Sequence, residues 1–146
     1  MSHDPNRAQA EIIQEFEFFD DWMDRYQHLI DLGKELPDFP ESDKTDANLL
    51  PGCQSNVWFI ARGDQDCLNF KACSDAAIVS GLIALVLKIY SGASAEQILS
   101  TPPTFIEAIG LGQHLSATRA NGLRSMLSKI KSLAEEALRS STSTKT

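Results

Sequence analysis

Residues 48 to 59 read NLLPGCQSNVWF and place one cysteine, Cys53, directly after a Pro-Gly pair. Proline fixes φ and glycine permits positive φ, so Pro51 and Gly52 mark a chain reversal and not the interior of an element. Gln54 and Ser55 follow, and a strand-like run begins at Val57. A thiol at a turn tip is presentable to another macromolecule, because loops lie on the surface of a rigid scaffold. The same thiol fits a second reading as small apolar filler beneath the loop, since free cysteine is among the most buried residue types. Cys67 and Cys73 complete an odd set with no CxxC pair and no zinc-finger spacing. Such a set in a chain without an apolar leader points to reduced or redox-active thiols in the cytoplasm, with no disulfide framework.

Other catalytic signatures are missing. There is no GxxxxGK loop, no HExxH and no Ser-His-Asp order, and Gly110-Leu111-Gly112 follows no strand and lacks a third glycine. Of the three histidines, His3 is in the N-terminal tail, His28 in a helical stretch and His114 before the last helix. A structural role suits His114 better than general-base work. Arg119 divides between a place beside the cysteine loop and simple pairing with an acid.

The elements that must position these residues follow from the hydrophobic pattern. Asp4 before Pro5 is an N-cap signal for a helix to about Asp20, with Ile12, Ile13, Phe16 and Phe19 on one stripe. Trp22, Tyr26, Leu29 and Ile30 continue helically to Gly33, a terminator candidate. The pattern does not decide between two helices and one helix broken near Asp20. Residues 37–48 are rich in Pro, Asp and Ser and form a loop. From Asn56 to Ala72 alternation predicts a hairpin turning at Gly63-Asp64-Gln65-Asp66, with Leu68, Phe70 and Ala72 on one face. Cys67 then falls on the polar face, where it reads as an incidental thiol.

Ser74 or Asp75 is the expected cap of a central helix over 75–90, apolar nearly all round. Its apolar run, broken by Ser80, Gly81 and Lys88, falls short of the ~20 residues a membrane span needs. Ser94 caps a short helix, Pro102-Pro103 precedes another around Phe105–Ile109, and Ser116 opens a long final helix to about Leu138 with Leu123, Leu127, Ile130 and Ala134 inward. Residues 1–138 form one domain and 139–146 are expected to be disordered. A hairpin, extended by a short strand through 48–50, with helices on one face gives an α+β domain with an antiparallel sheet of about three strands.

At 146 residues, 42% hydrophobic and 23% charged, the composition is that of an ordinary globular protein. The net charge of −7 argues against nucleic-acid binding. Acids crowd residues 1–50 while bases outnumber acids beyond residue 114. The acidic third is either a steering surface for a basic partner or a solvated helix face.

Three blocks in one order, GCQSNVWF at 52–59, SDAAIVSGLIALVLKIYSG at 74–92 and GLGQHLSATRANGL at 110–123, resemble the SufE family of sulfur-acceptor proteins. The resemblance implies an α+β architecture shared with IscU-type cluster scaffolds. It implies that Cys53 accepts persulfide sulfur from a SufS/CsdA-like pyridoxal-phosphate cysteine desulfurase, stimulates it, and passes the sulfur to an Fe–S scaffold or another acceptor. No cofactor is then needed in this chain, and Pro51, Gly52, Gln54 and Ser55 become the hinge and rim of a loop that tucks its thiol into an apolar recess. One position departs from the pattern: the family usually reads Asp-Ser-Asp-Ala at the entry to the central helix, whereas residues 73–76 read Cys-Ser-Asp-Ala. A cysteine just before a helix N-terminus is biased toward thiolate, so Cys73 beside Asp75 is either a second functional thiol, able to bridge to Cys53, or a neutral replacement. The alternative function is a zinc or Fe–S scaffold using Cys53 and Cys73. It lacks ligands, with Cys67 or His114 as the only additions to hand.

Overall fold

In the computed structural model, which describes residues 3–51 and 55–144 (side chains as far as Ser140), Asp4 sets the first boundary. Its carboxylate accepts from the backbone N–H groups of Asn6 and Arg7, Pro5 takes the first helical position, and α1 (Pro5–Glu17) buries Ile12 and Phe16. The helix stops before the predicted Asp20. Asp21 then accepts from the Met23 N–H and starts α2 (Trp22–Lys34), so the undecided stretch resolves into two helices. Gly33 lies inside α2 and does not end it. Its missing side chain serves packing: a Cβ there would stand 2.8 Å from the Ser80 Cβ and the Gly81 N. Gly81 is the reciprocal partner, because a Cβ on it would come 2.2 Å from the Leu29 carbonyl oxygen. Between them the two glycines let α2 lie directly on the central helix, α3 (Ala77–Tyr90).

After two 3-10 turns, Glu41–Asp43 and Asp46–Asn48, the chain meets the hairpin. β1 (Val57–Asp64) pairs antiparallel with β2 (Cys67–Ser74), from Val57↔Ser74 to Asp64↔Cys67. The turn is therefore the two residues Gln65-Asp66, tighter than predicted. Gly63 at φ +107 takes the left-handed twist, and the Asp64 carboxylate accepts from the Asp66 N–H. The expected third strand is reduced to one antiparallel bridge, Leu49↔Trp58, so the sheet has two strands among the described residues. The cause is local: the 3-10 turn ends at Asn48 and Pro51 has no N–H to continue a ladder.

Val57, Phe59, Leu68, Phe70 and Ala72 fill one face of the hairpin and join the core of α3, where Leu82 to Val86 are all buried. Neither Ser74 nor Asp75 is the N-cap. Ala76 occupies that position without a side-chain bond, while Ser74 holds the entry by accepting from the Ala76 N–H and by its carbonyl receiving the Ser80 hydroxyl. Beyond α3, Ser94 and Gln97 form a reciprocal cap on α4 (Ala95–Leu99). α5 (Phe105–Ile109) ends at Gly110, whose φ is +89, and Leu111–His114 form a further helical turn, α6.

Ser116 accepts from the Arg119 N–H at the start of α7 (Ala117–Thr144). Met126 joins Leu123, Ile130 and Ala134 in the buried stripe, with the predicted Leu127 only partly covered. The helix runs past Leu138 to Thr144 where an unstructured tail was expected. Serine and threonine cost only about 0.5 kcal/mol each relative to alanine in a helix, which is too little to end one already propagating. Among the described residues no helix is long and apolar enough to cross a membrane.

Candidate functional site: the loop from Leu50 to Val57

The loop is closed at its base. The Leu50 N–H donates to the Val57 carbonyl at 2.8 Å, and the Leu49↔Trp58 bridge lies just behind it. Gly52, Cys53 and Gln54 lie outside the described residues, and with them the expectation of a Cys53–Cys73 disulfide. Both shoulders are described: Pro51 is exposed, Ser55 half-buried. Asn56 donates through Nδ2 to the Asp75 carboxylate at 3.2 Å, so Asp75 ties the loop's exit to the start of α3 instead of capping that helix.

Ser55 borders a narrow apolar recess between β1, α3 and α7, with about 20 Å³ of free space, enough for one small group. Val57, Val79, Leu82, Leu123 and Met126 form its walls, and Thr118 and Arg119 stand at its edge. Arg119 is exposed and enters no ion pair among the described residues. It lines the recess together with Ser55. Sequence reasoning missed the lining. Val79 fell within an apolar central helix and Met126 outside the stripe expected of the last one, and nothing in a helical stripe distinguishes a residue that seals a core from one that lines a hollow beside it.

His114 does not line this recess. Its ring stacks on Trp22 with centroids 3.9 Å apart and planes 19° from parallel, and its carbonyl accepts from the Tyr26 hydroxyl. Arg25 completes the corner by donating to the Phe19 and Ile109 carbonyls.

Cys73 is placed differently from expectation. It is still on β2, opposite Trp58, and α3 begins only at Ala77. Cross-strand partners share a face, so Cys73 sits with Trp58 on the side of the hairpin opposite Val57 and the recess. The expected bias toward thiolate is reversed. Burial pushes the Cys73 thiol up from its ordinary range, nearby Lys44 pulls it down, and Glu41 and Asp75 push it up again. Lys44 is paired with Glu41 at 2.8 Å and stands 5.7 Å from the centre of the Trp58 ring. This Glu41–Lys44 lid was illegible in a loop of mixed charge.

Cys67 occupies the far end of the same strand, about 20 Å from Cys73 at strand spacing. Its Sγ lies 3.6 Å from the Gly92 carbonyl and 3.6 Å from the Asn69 amide. It cannot supply a ligand beside Cys73. Among the described residues no three His, Cys, Asp or Glu side chains converge in a way that could hold a metal ion.

Comparison with known proteins adds a second kind of observation. The family profile described as "SufE: Fe-S metabolism associated domain" matches residues 10–134. An uncharacterized SufE-like protein of Rhizobium meliloti (strain 1021) is 49% identical over 130 residues, covering 86% of this chain and 93% of the relative. A second uncharacterized SufE-like protein, from Rhizobium etli, is 44% identical over 126 residues, covering 83% and 85%. The solution structure of a hypothetical protein from Thermus thermophilus superposes with a TM-score of 0.73 at 20% identity, over 90% of this chain and 96% of that one, and so shares the fold.

Proposed function

This chain belongs to the SufE family, associated with Fe–S metabolism and sulfur transfer, and we propose that within it Cys53 accepts sulfane sulfur from a pyridoxal-phosphate cysteine desulfurase. The Cys53 thiolate attacks the terminal sulfur of the donor's persulfide. The donor's S–S bond breaks, its electron pair leaves on the donor cysteine as thiolate, and a new S–S bond forms on Cys53. A downstream thiol then takes the same sulfur atom for Fe–S cluster assembly. The pyridoxal chemistry stays in the desulfurase, which the carrier stimulates by unloading it.

The observation that carries this reading is the closed loop beside an apolar recess, with Arg119 at its edge outside any ion pair among the described residues. An apolar hollow shelters a resting thiol or persulfide from stray reductants. Arg119 favours the anionic sulfur as it emerges. The Leu50–Val57 hydrogen bond holds the base of the loop together. The zinc or Fe–S scaffold reading lacks comparable support, because Cys67 is remote from Cys73.

Incubation with a SufS-like desulfurase and free cysteine, followed by intact mass, is expected to add one sulfur atom to the wild type and none to Cys53→Ser. Arg119→Ala should slow loading several-fold, and Arg119→Lys should restore most of the rate. A Cys53→Ser variant that still loads and still stimulates the desulfurase would overturn the assignment.

A further inference from the structure

The two edges of the hairpin are treated differently. On the outer edge of β2 the segment after α3 takes the place of a strand. Leu68 donates to the Ala93 carbonyl at 2.9 Å, Gly92 donates to the Leu68 carbonyl at 2.7 Å, and Phe70 donates to the Ser91 hydroxyl at 2.9 Å. On the edge of β1 the closure extends no further than the Leu49↔Trp58 bridge, with the Leu50 N–H on the Val57 carbonyl. Backbone groups alternate sides along a strand, so Val57, Phe59 and Ala61 all aim outward from β1, just as Leu68, Phe70 and Ala72 aim outward from β2. Ala61 is exposed, and its outward N–H and carbonyl have no hydrogen-bond partner among the described residues.

This free edge borders a groove of about 290 Å³, open to solvent, between β1, Leu49 and the Lys129–Leu133 face of α7. Past Pro51 the groove runs into a second hollow of about 480 Å³ beside Arg124 and Lys129. No acidic side chain among the described residues lines either part. In a molecule of net charge −7, a channel whose only charged lining is basic is a local inversion of the field. It leads to the base of the Cys53 loop.

We propose that the free edge of β1 receives an extended acidic segment of the cysteine desulfurase, added as a strand at Ala61 with its carboxylates on Lys129 and Arg124. Backbone bonds to Ala61 supply affinity and the two bases select an acidic sequence and set its direction. A segment held there brings the rest of the desulfurase over Pro51, where the transfer takes place. The inference rests on the sulfur-transfer reading above for the identity of the partner.

Binding of purified SufS-like desulfurase, measured by calorimetry, tests it. Ala61→Pro removes the outward N–H and fills the edge without touching the β1–β2 ladder, and should weaken binding about tenfold. Ala61→Thr, which keeps the N–H, should bind like the wild type. Lys129→Glu with Arg124→Glu should weaken binding to a similar degree and flatten its salt dependence. Thermal unfolding verifies that each variant is folded, and the charge pair decides the matter should the proline variant fail to fold. Folded edge variants and charge variants that all bind within twofold of the wild type would overturn the inference. Sulfur loading at saturating desulfurase separates the two readings: a wild type that binds but never loads refutes the function, whereas edge variants that bind and load normally refute only the docking strand. A wild type that does not bind the desulfurase refutes both.

Discussion

Cys73 sits where three charged neighbours compete over one thiol. Burial is the largest influence on it and acts against ionisation, and the Lys44 ammonium opposes burial. Since the thiolate is the reacting form, exposed Cys67 should be alkylated by iodoacetamide before half-buried Cys73 at about pH 8. Lys44→Met should slow Cys73 further, several-fold, by removing the one neighbour that favours the anion, and Glu41→Gln should speed it. Peptide mapping of a time course reads all three, and a faster Cys73 in Lys44→Met would contradict this account. At this scale the sequence was legible only in part. Cys53 announced itself through the Pro-Gly pair, but the environment of Cys73 depended on where a strand yields to a helix. Because Asp75 turns to Asn56 and leaves the helix end uncapped, that boundary falls at Ala77. Capping types are readable in a sequence; the partner a capping residue prefers is not.

Elements were the most legible level wherever a boundary is written by local chemistry. Asp4-Pro5, Ser94 with Gln97, and Ser116 each start a helix within a residue or two of expectation, because a short polar side chain satisfies orphan N–H groups without distant help. Gly33 misled for the opposite reason. Glycine after a helical stripe usually marks a left-handed terminus, and here it answers a neighbour far away in the chain, Gly81. The contact makes a sharp prediction. Gly81→Ala forces a methyl into the Leu29 carbonyl and should destabilise the protein by about 3 kcal/mol, the upper part of the range for overpacking, or prevent folding. Gly112→Ala, with nothing within 4 Å of the new methyl, should be nearly neutral by the same denaturant titration.

For the molecule as a whole, the α+β class and the helices packed on one sheet face were readable, while the number of strands was not. A strand edge is completed by whatever segment the tertiary fold brings to it: at β2 this was the turn after α3, which carries no strand pattern at all. The same turn region bears on global stability through Tyr90, whose hydroxyl donates to the Thr101 carbonyl at 2.8 Å inside the core. Burial pushes this phenol up to about 12 from an ordinary 10.0. The folded state therefore holds the proton more tightly than the unfolded chain. Its contribution is fully present below about pH 10 and is lost as pH rises through about 12. Tyr90→Phe should cost about 1 kcal/mol at neutral pH and should show a smaller loss of stability than the wild type between pH 10 and 12. Parallel pH profiles would contradict this. One consequence of the unequal hairpin edges remains at the largest scale. A sheet with two open edges can grow without limit, each added strand exposing another. With the β2 side sealed by Ser91–Ala93, two copies meeting through β1 would close on each other and stop, so this fold carries its own terminator against edge-to-edge fibres.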